Sequence, residues 1–338
     1  MRFGLLLDHQ FPRSDDLGRH LDALVELTER ARDLGFGAVF GIHHFLAGLR
    51  TPQPFQVLAR LIPHSGDMLL GTGVYVASLT HPVQLAEEIA TLDQLSGGRF
   101  VFGAGIGYRD EEFDSFGIDR RHRAPRFLEA LEVIRGLWGD EPFTFHGDHF
   151  RIDGQRSSVQ PYRRDRVPFW IGANTPATIQ RAARIGDGWL ASPNVKLNFA
   201  AGNLGAFRDE WAAQGKRPGT HHAPIARELH LADTDDEARR RADDYLRTEY
   251  IEYSQYDLDH FVDLYDDLMA KSFLVGSPAT VTERIGRYRD AGFDTMLFRT
   301  FWSGMPYEMA FETLERFAAE VMPHFADDQP AAATEESR

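Results

Sequence analysis

The chain has 338 residues, 43% of them hydrophobic, which is enough for one large domain with a sizeable core. Its 51 acidic residues outnumber its 37 basic residues and give a formal net charge of −14, which disfavours nucleic-acid partners because phosphate backbones are bound by clustered Lys and Arg. Cysteine is absent, which excludes disulfides, thiolate metal sites and thiol nucleophiles.

Eight apolar segments rich in Val, Ile, Leu and Phe predict strands. They are continuous rather than alternating in polarity, which is typical of strands that are covered on both faces. Amphipathic helical stripes separate them and end at glycines, as at Gly35 and Gly97. The predicted strands cover residues 2–7, 38–43, 68–77, 100–105, 169–173, 188–192, 225–232 and 295–300.

This alternation predicts an α/β fold, a (β/α)8 TIM barrel, formed as a single domain over residues 1–325. Three segments exceed the eight units, and such insertions usually decorate the face where substrates enter. Residues 143–152 alternate around Gly147 and Asp148 and predict a hairpin. Residues 250–271, acidic and aromatic, predict either a lid or an ordinary surface helix, and residues 326–338 predict a disordered tail.

Two adjacent histidines, His43 and His44, stand where the second predicted strand ends. Barrel enzymes carry their catalytic side chains at this end of the strands. Adjacent residues on a strand point to opposite faces, so only one of the two can face the interior of the barrel. A capped or buried structural imidazole is the alternative interpretation of either residue.

The glycines between Gly103 and Gly107 do not form a dinucleotide-binding loop, because the third glycine comes one residue too early. We interpret this strand end, Gly105 included, as a surface without side chains against which a flat cofactor can lie. The acidic residues that follow, from Asp110, favour a helix start.

A second strand-to-helix junction carries hydroxyl and amide groups. After the strand at 169–173 come Asn174, Thr175 and Thr178, at the start of a predicted helix. A helix N-terminus suits a phosphate group, although an ordinary N-cap explains these residues equally well. His146 and His149 fall on opposite faces of the predicted hairpin without a third ligand, so we predict no metal site.

Residues 70–119 resemble bacterial luciferase-type flavin-dependent monooxygenases. The resemblance is carried by the run THPVQLAEEIATLDQLSGGRF, a Gly-rich strand and an acidic EEF turn, and it extends from residue 1 to about residue 325. It implies a luciferase-like TIM barrel in which His43 acts as a base near the flavin. Ile42 replaces a family glutamate, and Ile106 replaces an arginine that lies near the flavin phosphate in bacterial luciferase.

The resemblance also implies the cofactor contacts. It places a non-proline cis peptide at Gly73-Val74 beneath the flavin ring, and Asn174, Thr175 and Thr178 at the flavin phosphate. Two chemistries compete within the family. In one, a separate reductase supplies reduced FMN, which reacts with O2 through a C4a-hydroperoxide and oxidises an aldehyde, ketone or similar apolar substrate. In the other, deazaflavin F420 exchanges hydride with a small organic substrate.

The acidic composition favours FMN over F420, whose tail bears additional carboxylates, although Arg109 could receive such a tail. A third hypothesis is a non-catalytic flavin-binding barrel, because Ile42 replaces the glutamate of the family. From relatives we expect a homodimer. The N-terminal segment reaches Asp8 too early for a signal peptide, and no apolar run approaches the ~18 residues of a membrane helix, so we expect a cytoplasmic protein without a membrane partner.

Overall fold

A computed structural model describes residues 1–163, 167–254 and 261–328 of the chain. Its strands are β1 Arg2–Leu7, β2 Ala38–Gly41, β3 Leu69–Thr72, β4 Tyr75–Val76, β5 Phe100–Gly105, β6 Phe143–His146, β7 Arg151–Gln155, β8 Phe169–Gly172, β9 Gly188–Leu190, β10 Pro224–Leu231, β11 Leu274–Gly276 and β12 Thr295–Arg299. Its α-helices are α1 Leu17–Asp33, α2 Pro54–Leu61, α3 Pro82–Ser96, α4 Asp110–Ser115, α5 Arg123–Leu137, α6 Pro176–Ile185, α7 Leu197–Ala213, α8 Asp235–Ser254, α9 Phe261–Lys271, α10 Pro278–Ala291 and α11 Tyr307–Arg316.

All of these strands except β6 and β7 form one curled parallel sheet in the order β11-β10-β12-β1-β2-β3-β5-β8-β9, with β4 paired to β5. Parallel bridges also join Gly188 to His222 and Ala191 to Ile225, so the β9 region is bonded to the β10 region. All eight predicted strands are present. The sequence did not predict β11, which pairs with the last residues of β10, or the division of residues 68–77 into β3 and β4.

Two apolar layers flank the sheet. The larger one packs the helices against its outer surface. The smaller one, here called the inner core, gathers side chains from seven strands into a single cluster and therefore lies on the concave face. Phe40 and Trp170 stack within it at a centroid distance of 5.2 Å. The buried members of the inner core are Leu6, Ala38, Phe40, Val101, Trp170, Leu190, Ala226 and Leu297.

Local signals explain where the helices begin and end. Asp16 caps α1 by accepting hydrogen bonds from the backbone N–H groups of Gly18 and Arg19. Gly97 ends α3 at φ 65°, the left-handed conformation that glycine adopts without the steric cost of a side chain. Helices that begin and end in this way connect most of the successive parallel strands and return the chain to the opposite end of the sheet.

The additional segments have defined places. The predicted hairpin is confirmed, because Phe145 of β6 pairs antiparallel with Ile152 of β7. Residues 250–271 fall on the end of α8 and on α9, with residues 255–260 outside the described part. A terminal helical turn runs to Asp328, and the rest of the predicted disordered tail lies outside the described residues. In the described ranges, no helix combines the length and the apolar character of a membrane span.

Candidate functional site at the carboxyl ends of the strands

The carboxyl ends of the strands form a rim whose two sides differ. On the side of β2 and β3, inward residues above the inner core are partly exposed, among them Ile42, His44 and Val74. On the side of β1, β10 and β12, the corresponding positions are buried and charged. The concave face is therefore open above an apolar surface on one side and closed by ionic groups on the other.

The Gly73–Val74 peptide bond is cis, as the resemblance predicted. It lies between β3 and β4, and both residues are partly exposed at the rim. The Val74 side chain covers the neighbouring strands. A Cβ atom on Gly105 would lie 2.6 Å from Val74 Cγ2, and one on Gly172 would lie 3.1 Å from Val74 Cγ1. Gly105 is therefore required by the packing of Val74. The sequence had instead predicted that a flat cofactor lies against this glycine.

His43 is buried and has both ring nitrogens hydrogen-bonded within the protein. Its Nδ1 accepts from the Val76 N–H at 3.0 Å, so Nε2 carries the hydrogen and donates to Gln53 Oε1 at 2.9 Å. The ring stacks on Tyr75 at a centroid distance of 3.9 Å. Burial, together with the nearby His44, lowers the pKa of His43 to about 3. His43 is therefore a neutral imidazole that joins β2, β4 and the start of α2.

His44 continues the inward positions of β2 after Phe40 and Ile42, and it is only partly buried. Its Nδ1 is 3.1 Å from Oε1 of Glu112, a carboxylate oxygen that also accepts from the Phe45 N–H at 2.8 Å. The carboxylate places the ring hydrogen on Nδ1 and leaves the Nε2 lone pair available, because no described residue is hydrogen-bonded to Nε2. From the sequence, Glu112 was predicted only to favour a helix start.

His9 follows the end of β1 and was not predicted as a site residue from the sequence. Its side chain is fully buried, and neither ring nitrogen has a hydrogen-bond partner among the described residues. A Cβ atom on Gly41 would lie 3.0 Å from its Nε2. Burial lowers the pKa of His9 to about 4, against the opposing effect of Asp8, so this imidazole is also neutral at neutral pH.

The predicted phosphate-binding residues lie together at the exposed start of α6. Thr175 is the N-cap, and its hydroxyl lies 2.9 Å from the hydroxyl of Thr178 in a capping box. Asn174 Oδ1 accepts a hydrogen bond from Ser192 at the end of the next strand. Pro176 occupies the first helical position, and the N–H of Ala177 has no acceptor within the helix. This exposed turn at the rim fits an anionic group such as a phosphate.

A buried ionic cluster closes the opposite side of the rim. We call the residues Asp8, Glu228, Glu249 and Arg299 the charged layer. Arg299, at the end of β12, donates to all three carboxylates, among them Glu228 at 2.8 Å. Sequence reasoning missed this cluster. The only signals were a glutamate inside a buried strand and an arginine at a strand end.

Arg109 follows β5 and is buried. It is 6% exposed, lies 3.8 Å from Glu112 and contacts the Phe45 carbonyl oxygen at 3.4 Å. The sequence suggested that this guanidinium could bind an anionic cofactor tail, but in the structure it contacts groups of the protein itself.

In α/β proteins with a curled parallel sheet, catalytic and binding residues usually lie at the carboxyl ends of the strands. The polar groups at the rim of this sheet place the chain in that class. The model of the luciferase-like monooxygenases matches residues 1–295, and the chain belongs to that family. This confirms the resemblance predicted from residues 70–119.

Relatives in this family include both kinds of oxidoreductase. The chain is 25% identical to the oxygenase component of flavin-dependent trigonelline monooxygenase from Acinetobacter baylyi, over 97% of each protein. It is 33% identical to F420-dependent hydroxymycolic acid dehydrogenase from Mycobacterium tuberculosis, over 72% of this chain and 66% of that one. The crystal structure of monooxygenase RslO1 from Streptomyces bottropensis superposes with a TM-score of 0.87 at 27% identity, covering 96% of this chain and 100% of that one.

Proposed function

We propose that the protein is a flavin-dependent monooxygenase that uses reduced FMN and O2 to oxidise a small apolar substrate, on a sheet closed as a (β/α)8 barrel. The hydrogen bonds between the β9 and β10 regions support closure of the eight strands. The observation that carries the proposal is the joint presence, on one rim, of the partly exposed Val74 surface and the exposed start of α6. An isoalloxazine ring needs the first, and its phosphate needs the second.

The cofactor contacts follow from this arrangement. Gly73 and Val74 would lie against the ring, and Gly105 holds Val74 in place by leaving room for it. Asn174, Thr175, Thr178 and the first free N–H groups of α6 would hold the phosphate. Reduced FMN, when bound, supplies the electrons that reduce O2. The chain's own contribution is to exclude water, orient the ring and exchange protons with the reacting atoms.

Proton transfer is assigned to the histidine pair. The resemblance implied His43, and that role stays a prediction. The geometry favours His44, because Glu112 fixes its ring hydrogen on Nδ1 and its Nε2 lone pair is available. His43 would then be a positioning residue, whose two hydrogen bonds connect β2 to Val76 and Gln53.

An F420-dependent oxidoreductase is the second candidate. The His44–Glu112 pair favours it, because a histidine backed by a carboxylate could take the hydroxyl proton of an alcohol, and F420, when bound, would supply the hydride acceptor. The burial of Arg109 weighs against it, since that guanidinium already contacts Glu112 and the Phe45 carbonyl oxygen.

Cofactor binding decides between the two candidates. Thermal unfolding is measured with FMN and with F420, because a ligand present at 100 times its dissociation constant stabilises a protein by about 2.7 kcal/mol. Oxygen uptake is then measured with reduced FMN from an added flavin reductase. Stabilisation by FMN with substrate-dependent oxygen uptake supports the monooxygenase, whereas FMN binding without turnover supports a non-catalytic flavin-binding protein. Stabilisation by F420 alone supports the second candidate.

Ser277→Ala provides a matched control for the phosphate contact. Ser277 is the N-cap of α10, with Pro278 after it and Thr280 three residues on, so it repeats the local chemistry of Thr175. Thr175→Ala should reduce the stabilisation by FMN, and Ser277→Ala should leave it unchanged. Equal effects of the two changes would reject α6 as the phosphate site.

A further inference from the structure

The charged layer forms the next layer above the inner core on three adjacent strands. Each of its strand-end residues follows an inner-core residue by two positions, which places both on the same face of the sheet. The pairs are Leu6 and Asp8, Ala226 and Glu228, and Leu297 and Arg299. Glu228 and Arg299 are also register partners in the pairing of β10 with β12. The layer therefore faces the same interior as His44.

The layer contains more negative than positive charge. Nη1 of Arg299 donates to Glu228 Oε1 at 2.8 Å, and Nη2 donates to both Asp8 and Glu249. The side chains of all four residues are at most 6% exposed. Within the described ranges, the ion pairs of these carboxylates all go to Arg299. Three ionised carboxylates and one guanidinium would leave two uncompensated negative charges in a buried site.

Neutral donors do not remove this imbalance. Glu228 accepts from the indole N–H of Trp302 at 2.7 Å and from the hydroxyl of Tyr250 at 3.2 Å. Oδ1 of Asp8 and Oε2 of Glu249, however, are buried without a hydrogen-bond partner among the described residues. A carboxylate oxygen without a donor is costly in such a site, whereas a protonated carboxyl can donate to a neighbouring carboxylate.

Among the described residues, the other groups around the layer add no second counter-ion in contact with its carboxylates. Arg227 points to the opposite face of β10, where it donates to main-chain carbonyl groups and to the Tyr288 hydroxyl. His9 is a neutral imidazole beside Asp8. Burial raises the pKa of Tyr307, a further neighbour of Asp8, above its already high ordinary value, so its hydroxyl is also neutral. Burial also raises the pKa of Glu228, with the positive charge of Arg299 opposing that effect.

We propose that Asp8, Glu228 and Glu249 hold one proton in common at neutral pH, and that this buried acid exchanges a proton with the reacting molecules. The proton belongs to the group of carboxyls rather than to one residue, as in other closely coupled carboxylates. In the transfer step, the carboxyl O–H bond breaks while an O–H bond forms on a substrate oxygen that has gained an electron pair. The cluster is then reprotonated by water. Only this transfer step rests on the proposed function.

Infrared spectroscopy of the protein without added cofactor tests the shared proton. At neutral pH the wild type should show the C=O stretching band of a protonated carboxyl, shifted by deuterium exchange. Glu249→Gln should remove it, because one guanidinium then faces two carboxylates. Glu112→Gln is the matched control, since Glu112 is equally buried but contacts no other carboxylate among the described residues, and this variant should keep the band.

A wild type without the band, or a band that survives in Glu249→Gln, would overturn the shared proton. Should Glu249→Gln fail to fold, Asp8→Asn serves the same test, and a pH titration of the band in the wild type requires no variant. These measurements do not depend on flavin binding, so they judge the shared proton even if the proposed function fails.

The transfer step is tested by the pH dependence of turnover in the cofactor-loaded enzyme. Glu249→Gln should slow turnover by roughly 100-fold, the usual contribution of a general acid, and should abolish the fall in rate at high pH. Cofactor affinity measured on the same samples should change little. If a variant that has lost the band kept the pH profile of the wild type, the transfer step would be rejected. The shared proton would then have a structural role only.

Discussion

Val74 occupies the space that a side chain at Gly105 would need. The Cβ position of Gly105 lies 2.6 Å from Val74 Cγ2, closer than non-bonded carbon atoms approach, so any larger residue forces one of the two to move. The glycine therefore holds Val74 at the rim, where it forms the proposed contact surface for the isoalloxazine ring.

Gly105→Ala should destabilise the protein by about 1–3 kcal/mol, the usual cost of an added methyl group in a packed site. It should also weaken FMN binding, because Val74 would be displaced into the mouth. Urea unfolding and fluorescence titration with FMN measure the two effects. Gly202→Ala in α7 is the control, since its Cβ would have no neighbour within 4 Å, and it should stabilise the helix by up to about 1 kcal/mol. Equal stability of Gly105→Ala and wild type would show that Val74 is not held by this glycine.

His43 should remain neutral across the physiological range. Its pKa is lowered to about 3 by burial, so the ring should keep its hydrogen on Nε2 from about pH 5 to 8. Nitrogen-detected NMR of the imidazoles reports both the charge and the position of the ring hydrogen. His44 should show the opposite tautomer, with the hydrogen on Nδ1 beside Glu112. Protonation of His43 near its ordinary value of 6.5 would contradict this assignment.

Gln53 should stabilise the protein through His43. Replacing Gln53 by Leu removes the acceptor of the His43 Nε2–H and also the 3.2 Å hydrogen bond from Gln53 to the His44 carbonyl oxygen. The buried imidazole donor that is left unpaired costs about 1–3 kcal/mol. The free energy of unfolding measures this loss. If the variant matched the wild type, the 2.9 Å contact would contribute nothing, and His43 would be free to take up the role that the resemblance implied.

Much of the fold was predictable because the buried strands are continuous apolar runs, and their order along the chain follows from the alternation with helices. The position of the histidine pair and the cis bond after Gly73 were also predictable, the latter from resemblance alone. Which histidine faces the interior was not, because that depends on how β2 packs against α2 and β4. The charged layer was missed because Asp8 and Arg299 are 291 positions apart in sequence, and only the pairing of β1 with β12 brings them together.

Thr175 should have two separable roles, as a helix cap and as a phosphate contact. Thr175→Ala removes the capping box of α6 and should cost about 1 kcal/mol of stability, as Ser277→Ala should for α10. Only Thr175→Ala should weaken FMN binding, by about tenfold, which corresponds to 1.4 kcal/mol for a charge-assisted hydrogen bond. Fluorescence titration with FMN, compared with riboflavin, tests this. If riboflavin, which lacks the phosphate, were affected equally, the contact would not be to the phosphate.

The charged layer should make the stability of the protein depend on pH in a definite direction. The pKa of Glu228 is raised in the folded state by burial, so the folded protein binds more protons than the unfolded chain between the ordinary value of 4.5 and the raised one. The stabilisation is therefore complete below the ordinary value and is lost as pH rises through the raised value. Over that interval the wild type should lose up to about 1.4 kcal/mol per pH unit relative to Glu228→Gln. Urea unfolding at a series of pH values gives both slopes, and parallel slopes would show that the cluster does not bind an extra proton in the folded state.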